Sequence, residues 1–359
     1  MNNKNVLILT ATFGMGHRAV SKAIKDELSE AYIGHYIEIV DIFEILNPSL
    51  KEAFQKGYNV LTRDFEDLYN FFYHYKKNQK HNLIDGIIYM GYQKKFNQYI
   101  ESFNPDIVIS TFPMTSGFMS RYKTTFHRNI PLITVITDVV DSWEWLHDGT
   151  DRYFVPSKEV KDKLRLKGIP SYQIVVTGIP VRSDFKRNQK NQSETPRKNV
   201  LVMSSAMGKI KFDTSFFKEL SQMDGVDFTI VTGTDHDLFD KIKHIQYDNI
   251  KIYGFVEDIA SFMNNADLIY TKPGGVTLFE AINRELPLLV QDTAIGQESE
   301  NIDFIRSRGI GMIVEAPEQF CQIIKEVLND DLKLSALRKN MFMLKQEFDD
   351  QAIVRALRA

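Results

Sequence analysis

The chain has 359 residues, 43% of them hydrophobic and 25% charged, which is the balance of a soluble globular protein and too long for one core of usual size, so two domains are expected. A formal net charge of −3 gives no overall attraction to nucleic acid, which is not an expected partner, and leaves any affinity for anionic lipid to a local patch. The single cysteine, Cys321, excludes an internal disulfide framework and any metal site built from several thiolates.

The apolar run at 6–9 is too short for the core of a signal peptide and reads as the end of a first buried strand, VLILT at 6–10. No stretch approaches the roughly 20 apolar residues that cross a bilayer. The turn Gly14-Met15-Gly16-His17-Arg18 follows, and a helix is expected over 18–31. Glycines such as Gly16 allow close backbone approach, and His17 stands at the helix mouth with an ordinary pKa near ~6.5, suited to a general base. The plainer alternative is a histidine that caps or packs the helix start. Further apolar, β-branched runs at 36–43, 106–111, 132–137, 152–157 and 173–178 alternate with helical segments, the pattern of a parallel sheet covered on both faces.

Between 47 and 100 this alternation lapses. The insert carries twelve aromatic residues, among them Phe54, Tyr58, Phe65, Tyr69, Phe71, Phe72, Tyr73, Tyr75, Tyr89 and Tyr92. It has eight Lys and Arg, including Lys76, Lys77 and Lys80, against five acids. Rings and cations together suit a membrane interface, whereas packed aromatics under a solvated lysine face would give the same composition.

The stretch 186–199 is polar, has no apolar periodicity and reads as a linker between a domain at 1–185 and a second at 200–330. The second repeats the strand pattern at 199–205, 226–233, 250–255, 268–272, 287–291 and 311–316. The expected fold class is α/β, two doubly wound Rossmann-like domains facing a cleft, with ligand at the carboxyl ends of the strands. Asp235-His236-Asp237 looks like a metal motif on paper, but it opens a helix, where N-capping is the expected use. The stretch 267–301 is the densest in chemistry: a strand, the turn Pro273-Gly274-Gly275, a helix with Thr277 and Glu280 in its first turns, another strand, then Gly296-Gln297-Glu298 and Asn301. Glycines ahead of a helix N-terminus make a phosphate seat, and Glu280 is placed to accept from a ribose diol. Gln297, Glu298 and Asn301 are groups that read sugar hydroxyls. An ordinary α/β turn tightened by its glycines is the alternative.

With these residues in view, the passage resembles the donor-binding signature of GT-B glycosyltransferases. In its TKPGG and GQE forms it resembles the branch of monogalactosyldiacylglycerol synthases and processive diacylglycerol glucosyltransferases. TATFGMGHRAVSKAI is similar to that branch's first motif, and Thr137-Asp138, Trp145-Leu146-His147 and VTGIPVRSDF resemble the block closing its N-terminal domain. The resemblance implies that His17 is the catalytic base, that Asp138 and His147 border the acceptor pocket, and that the 47–100 insert meets membrane and lipid. It further implies that Ser204 and Gly208 line the diphosphate side and that Phe255 and Val256 hold uracil through backbone groups.

Taken together, the expectation is an inverting, metal-independent transfer of a hexose from a UDP-sugar to diacylglycerol or its monoglycosyl product. No cofactor is expected, since the UDP-hexose is the donor substrate. The partners would be that donor, the lipid and an anionic membrane surface, with the protein cytoplasmic and peripheral on the inner face of the cell membrane. The stretch 331–359, in the GT-B manner, would return to the N-terminal domain. A GlcNAc-transferase with a polyprenyl-linked acceptor, a non-hydrolysing epimerase and a nucleotide-sugar binding module without catalysis are the competing readings.

Overall fold

The computed structural model describes residues 3–12, 14–49, 51, 70, 77, 79, 83–186, 197–203, 213–292, 296–316 and 318–357. The chain divides into two compact units, one formed by Met1–Ser183, Ile295–Gln297 and Glu347–Ala359, the other by Asp184–Ala294 and Glu298–Gln346.

The first unit holds β1 (Asn5–Thr10), α1 (Gly14–Ala31), β2 (Tyr36–Asp41), α2 (Ile42–Leu46), α3 (Leu83–Phe103), β3 (Ile107–Ser110), α4 (Pro113–Phe126), β4 (Leu132–Val135), β5 (Arg152–Val155), α5 (Lys158–Leu166) and β6 (Ile174–Val176). Its six strands are ordered β2-β1-β3-β4-β5-β6. The pairs are parallel, with Leu7 opposite Val108 and Ile109 opposite Ile133. Every residue of β3 and β4 is buried, which is why these strands read as near-continuous apolar runs, interrupted by Ser110 and Thr134, and not as an alternation. Reversal of strand order about β1 and β3 opens a crevice at the carboxyl ends, where such sheets place ligands.

Within the 47–100 insert, α3 packs as core. Tyr89, Phe96 and Ile100 are buried with Phe118 and Tyr122 of α4, and Tyr89 meets Phe118 edge to face at 4.7 Å. Gly117 makes that approach possible, since a Cβ there would lie 1.7 Å from the Tyr89 hydroxyl. Tyr89 therefore does not face a membrane; its composition signal came from packing. Phe54, Tyr58, Phe65, Tyr69, Phe71, Phe72, Tyr73, Tyr75, Lys76 and Lys80 lie outside the described residues. Lys77 stands 3.6 Å from Asp141, which Lys167 also meets at 2.7 Å and Lys163 at 3.8 Å. Partial burial pushes the Asp141 carboxyl up, but the three ammonium groups outweigh it and hold its pKa below the usual value.

The second unit holds most of α6 (Ser183–Lys186), β7 (Lys198–Met203), α7 (Thr214–Ser221), β8 (Val226–Val231), α8 (His236–Ile242), β9 (Ile250–Tyr253), α9 (Ile259–Asn264), β10 (Leu268–Thr271), α10 (Gly275–Arg284), β11 (Leu288–Gln291), most of α11 (Gly296–Arg308), β12 (Gly311–Val314), α12 (Gln319–Leu328) and α13 (Asp331–Lys345). Strand order is β12-β11-β10-β7-β8-β9, again parallel. Val200, Phe228, Tyr270, Leu289 and Phe320 lie in its core. A buried chain ties three strand ends together, as Tyr270 Oη donates to Gln291 Oε1 (2.7 Å) and Gln291 Nε2 donates to the Val314 carbonyl (3.0 Å).

Three boundaries differ from the sequence reading. β7 begins at Lys198, inside the stretch read as linker, because its partner Val226 extends the ladder by that much. The units part at 183/184, ahead of 186. The closing stretch is itself divided: α13 stays with the second unit, where Lys345 pairs with Glu285 of the α10 C-cap at 2.9 Å. Only from Glu347 does the chain belong to the first unit. There the Asp349 N–H donates to the Val176 carbonyl of edge strand β6 (2.8 Å). In and beyond α14 (Ala352–Ala356), Val354 O accepts from Tyr32 Oη and Leu357 O from Lys4 Nζ, each at 2.8 Å.

Candidate active site

At the carboxyl edge of the first sheet, β1 leads through Thr12, whose N–H and hydroxyl both donate to Asp41 Oδ2 at the end of β2. The helix then begins at Gly14, not at 18 as the sequence suggested, so Gly16 and His17 lie in its first turn. The first helical N–H groups lack intrahelical partners in any case, which makes glycine tolerable there. His17 is half-buried. Its Nδ1 lies 2.8 Å from the Thr111 carbonyl beyond β3 and 3.0 Å from Thr137 Oγ1 beyond β4. A carbonyl only accepts, so Nδ1 carries the hydrogen and Nε2 the lone pair. Phe112 stands edge-on to the ring at 5.1 Å and Trp145 lies tilted at 6.3 Å.

This enclosure has an electrostatic result. Burial pushes the His17 pKa down from 6.5 to about 4, although the Thr111 carbonyl bond works the other way. His17 is therefore neutral at pH 7, the form that keeps a lone pair on Nε2 to accept a proton. Behind it, Ser21 Oγ and Thr10 Oγ1 lie 2.9 and 3.0 Å from Thr111 Oγ1, and Ser21 Oγ also donates to the His17 carbonyl (2.9 Å). Asp138 follows Thr137 and is half-buried. His147 Nε2 donates to the Pro113 carbonyl (3.2 Å), and its backbone N–H and carbonyl both bond the Tyr153 hydroxyl at 3.0 Å.

The second unit presents another strand, turn and helix. β10 ends at Thr271, and the N-cap of α10 is Gly274, which makes no side-chain cap bond. Gly274 has φ −75°, so the turn does not force glycine there, and an added Cβ would touch only Lys272 at 3.6 Å. Gly275 is buried, while Thr277 and Glu280 share the half-exposed face of α10 opposite Leu278, Ala281 and Ile282. Lys272, to which the sequence reading gave no role, lies 3.1 Å from Glu298 Oε1.

Asn301 is a correction. It is fully buried and donates through Nδ2 to the Pro273 carbonyl (2.8 Å), so it braces the turn and does not read sugar hydroxyls. Gln297 packs with the first unit and Glu298 with the second, dividing a pair that the sequence placed in one domain. Phe255 is exposed and Val256 half-buried just beyond β9. Ser204 and Gly208 lie outside the described residues. Asp235 Oδ1 accepts from Leu238 N–H at 3.0 Å, the N-cap of α8.

Two successive doubly wound domains with these strand orders form the GT-B fold of nucleotide-sugar enzymes, and solved structures share it. Acinetobacter baumannii MurG superposes with a TM-score of 0.64 at 14% identity, over 99% of this chain and 98% of that one. The sequence model of the monogalactosyldiacylglycerol (MGDG) synthase family matches residues 17–181, and that of the glycosyltransferase family 28 C-terminal domain matches 212–355. The chain is 30% identical over 366 residues to the processive diacylglycerol beta-glucosyltransferase of Staphylococcus epidermidis, spanning 99% of this chain and 92% of that protein. The enzyme of that name from Bacillus subtilis is 30% identical over 351 residues, 94% of this chain and 91% of its own. The chain belongs to the processive diacylglycerol beta-glucosyltransferase family.

Proposed function

We propose that this chain transfers a hexose from a UDP-sugar to the hydroxyl of diacylglycerol or of a monoglycosyl-diacylglycerol, with inversion and without a covalent intermediate. His17 Nε2 takes the acceptor hydroxyl proton as the oxygen attacks the anomeric carbon. The new C–O bond forms while the bond from that carbon to the diphosphate oxygen breaks, and the electron pair leaves with UDP. Charge developing on the diphosphate is met by the α10 N-terminus behind Gly274 and Gly275, in the place a metal ion would otherwise take. Glu280 accepts from the ribose diol, Phe255 and Val256 hold uracil, and Gln297 and Glu298 read the sugar. Asp138 and His147 border the acceptor.

The observation that carries this reading is the His17 ring, fixed with its lone pair on Nε2 at the carboxyl edge of the sheet in a chain of this family. Among the described residues no helix is long and apolar enough to cross a membrane. The protein acts peripherally at the inner membrane face, the insert supplying the contact. The test is transfer of radiolabelled sugar from a panel of UDP-hexoses into mixed vesicles containing diacylglycerol. Label in the glycolipid fraction from one UDP-hexose is the expected result, and its absence with every donor overturns the reading.

A further inference from the structure

We infer that the Thr137 hydroxyl is a positioning residue for His17, sharing the Nδ1 hydrogen with the Thr111 carbonyl and so fixing which nitrogen faces the acceptor. This inference rests on the catalytic role given to His17 above. Nδ1 has two oxygens within hydrogen-bond distance, Thr111 O at 2.8 Å and Thr137 Oγ1 at 3.0 Å. They come from different strand ends, 94 and 120 residues along the chain from His17. Because the carbonyl can only accept, Nδ1 keeps its hydrogen and Thr137 Oγ1 is held to the accepting role as well. Two acceptors flanking one N–H restrain ring rotation more than a single acceptor does, since turning the ring toward either lengthens the bond to the other. Phe112 and Trp145 contact the ring without offering it a hydrogen bond.

A base oriented in this way differs from one oriented by a carboxylate. Among the described residues no carboxylate reaches Nδ1, so the partners supply direction without a full opposing charge. When Nε2 takes a proton, positive charge spreads to Nδ1–H, and two oxygen acceptors there stabilise it more than one. Thr111 contributes through its backbone and survives any side-chain change. Thr137, 3% exposed, contributes through its side chain and is the partner that mutation can remove.

The experiment uses the full chain with 15N-labelled histidine, the His17 signals being assigned by their loss in His17→Gln. In the parent, long-range proton–nitrogen correlations should show His17 protonated at Nδ1. In Thr137→Val, and in Thr137→Ala, which introduces no new contact, the Thr111 carbonyl should keep the ring protonated at Nδ1, but the Nδ1–H should exchange faster with solvent and its signals broaden as the ring gains freedom to turn. Turnover should fall about 3–30-fold with KM for the UDP-sugar unchanged, the size expected when a positioned base loses alignment and not presence. Thr137→Ser, which keeps the hydroxyl, should restore both the sharp signal and the rate. Nδ1–H exchange and line width unchanged from the parent in both the Val and Ala variants overturn the inference, whether or not the rate falls. A freed ring with undiminished turnover upholds the positioning and overturns His17 as the base, so the two failures are told apart.

Discussion

The His17 corner of the first unit and the Gly274 turn of the second are built alike, as a strand end, a short turn and a helix N-terminus, and they arrive at opposite chemistry. Around His17 the partners are a backbone carbonyl, hydroxyls and two aromatic rings, and the imidazole is tuned by removal of water. Around Gly274 the groups are charged and exposed in part, with Lys272, two residues ahead of the glycine N-cap of α10, paired to Glu298. The first arrangement suits a group that must stay neutral until substrate arrives. The second suits one that must receive a charged leaving group. The same local grammar therefore says where chemistry happens, and the polarity of the surrounding shell decides which chemistry it is.

The comparison breaks most readily at His17. His17→Ala should lower turnover by roughly 10²–10⁴-fold, the usual contribution of a positioned acid–base group. UDP affinity, assigned to the other unit, should stay near the parent value. Near-normal turnover in a folded His17→Ala protein would return the residue to helix packing.

The next effect is on stability against pH. The His17 pKa is about 4 in the fold and 6.5 outside it, so between those values the unfolded chain binds the proton and the folded chain does not. Its contribution is whole above pH 6.5 and drains away as pH falls toward 4, the loss reaching about 3 kcal/mol at the lower end. Chemical denaturation of the parent and of His17→Gln from pH 7 to pH 4 should show the parent losing more. Parallel curves would mean that the ring is better solvated than its surroundings indicate.

Two variants sharpen the second corner. Glu280→Ala should weaken UDP binding by about 1–3 kcal/mol in calorimetry, because the ribose diol loses its acceptor. Equal affinity would remove Glu280 from the donor site. Asn301→Ala should cost about 1–2 kcal/mol of unfolding free energy by leaving the Pro273 carbonyl without this buried donor, and should weaken UDP binding only as far as the turn loosens. A large loss of sugar-donor affinity with unchanged stability would restore Asn301 to the ligand.

The smallest effect belongs to Lys272, whose ion pair with Glu298 is half open to water. Lys272→Met should change stability by under about 1 kcal/mol and lose that difference in high salt, as exposed pairs do. A salt-independent loss would place the pair in a drier setting than its exposure suggests.

The twelve strands of the described residues were legible because parallel strands buried on both faces must be largely apolar, a pattern that 107–109 and 288–290 print directly. Their ends were less so: the apolar run at 36–43 continues past β2 because Ile42 and Phe43 are buried as the start of a helix. The glycine turns and the helix behind each were equally visible. What surrounds His17 was not. Thr111 acts through a carbonyl that every residue possesses, and Thr137 through a contact 120 residues away, so neither announces itself in local spacing. Asn301 misled for a related reason, since an amide that braces a turn and one that reads a sugar are the same residue in sequence, and only burial separates them. Tyr89 repeats the point, its aromatic signal being explained by the space that Gly117 leaves for it.

The segment from Glu347 onward has a consequence for the order in which this protein can be completed. Domains of a nascent chain generally close in turn as they leave the ribosome. Here the Val176 carbonyl of edge strand β6 waits for Asp349, and Tyr32 waits for Val354, both made only after the whole second unit has emerged. During translation the first unit lacks the bonds that Asp349, Val354 and Leu357 later make to Val176, Tyr32 and Lys4. Its final closure is therefore timed by the synthesis of its neighbour.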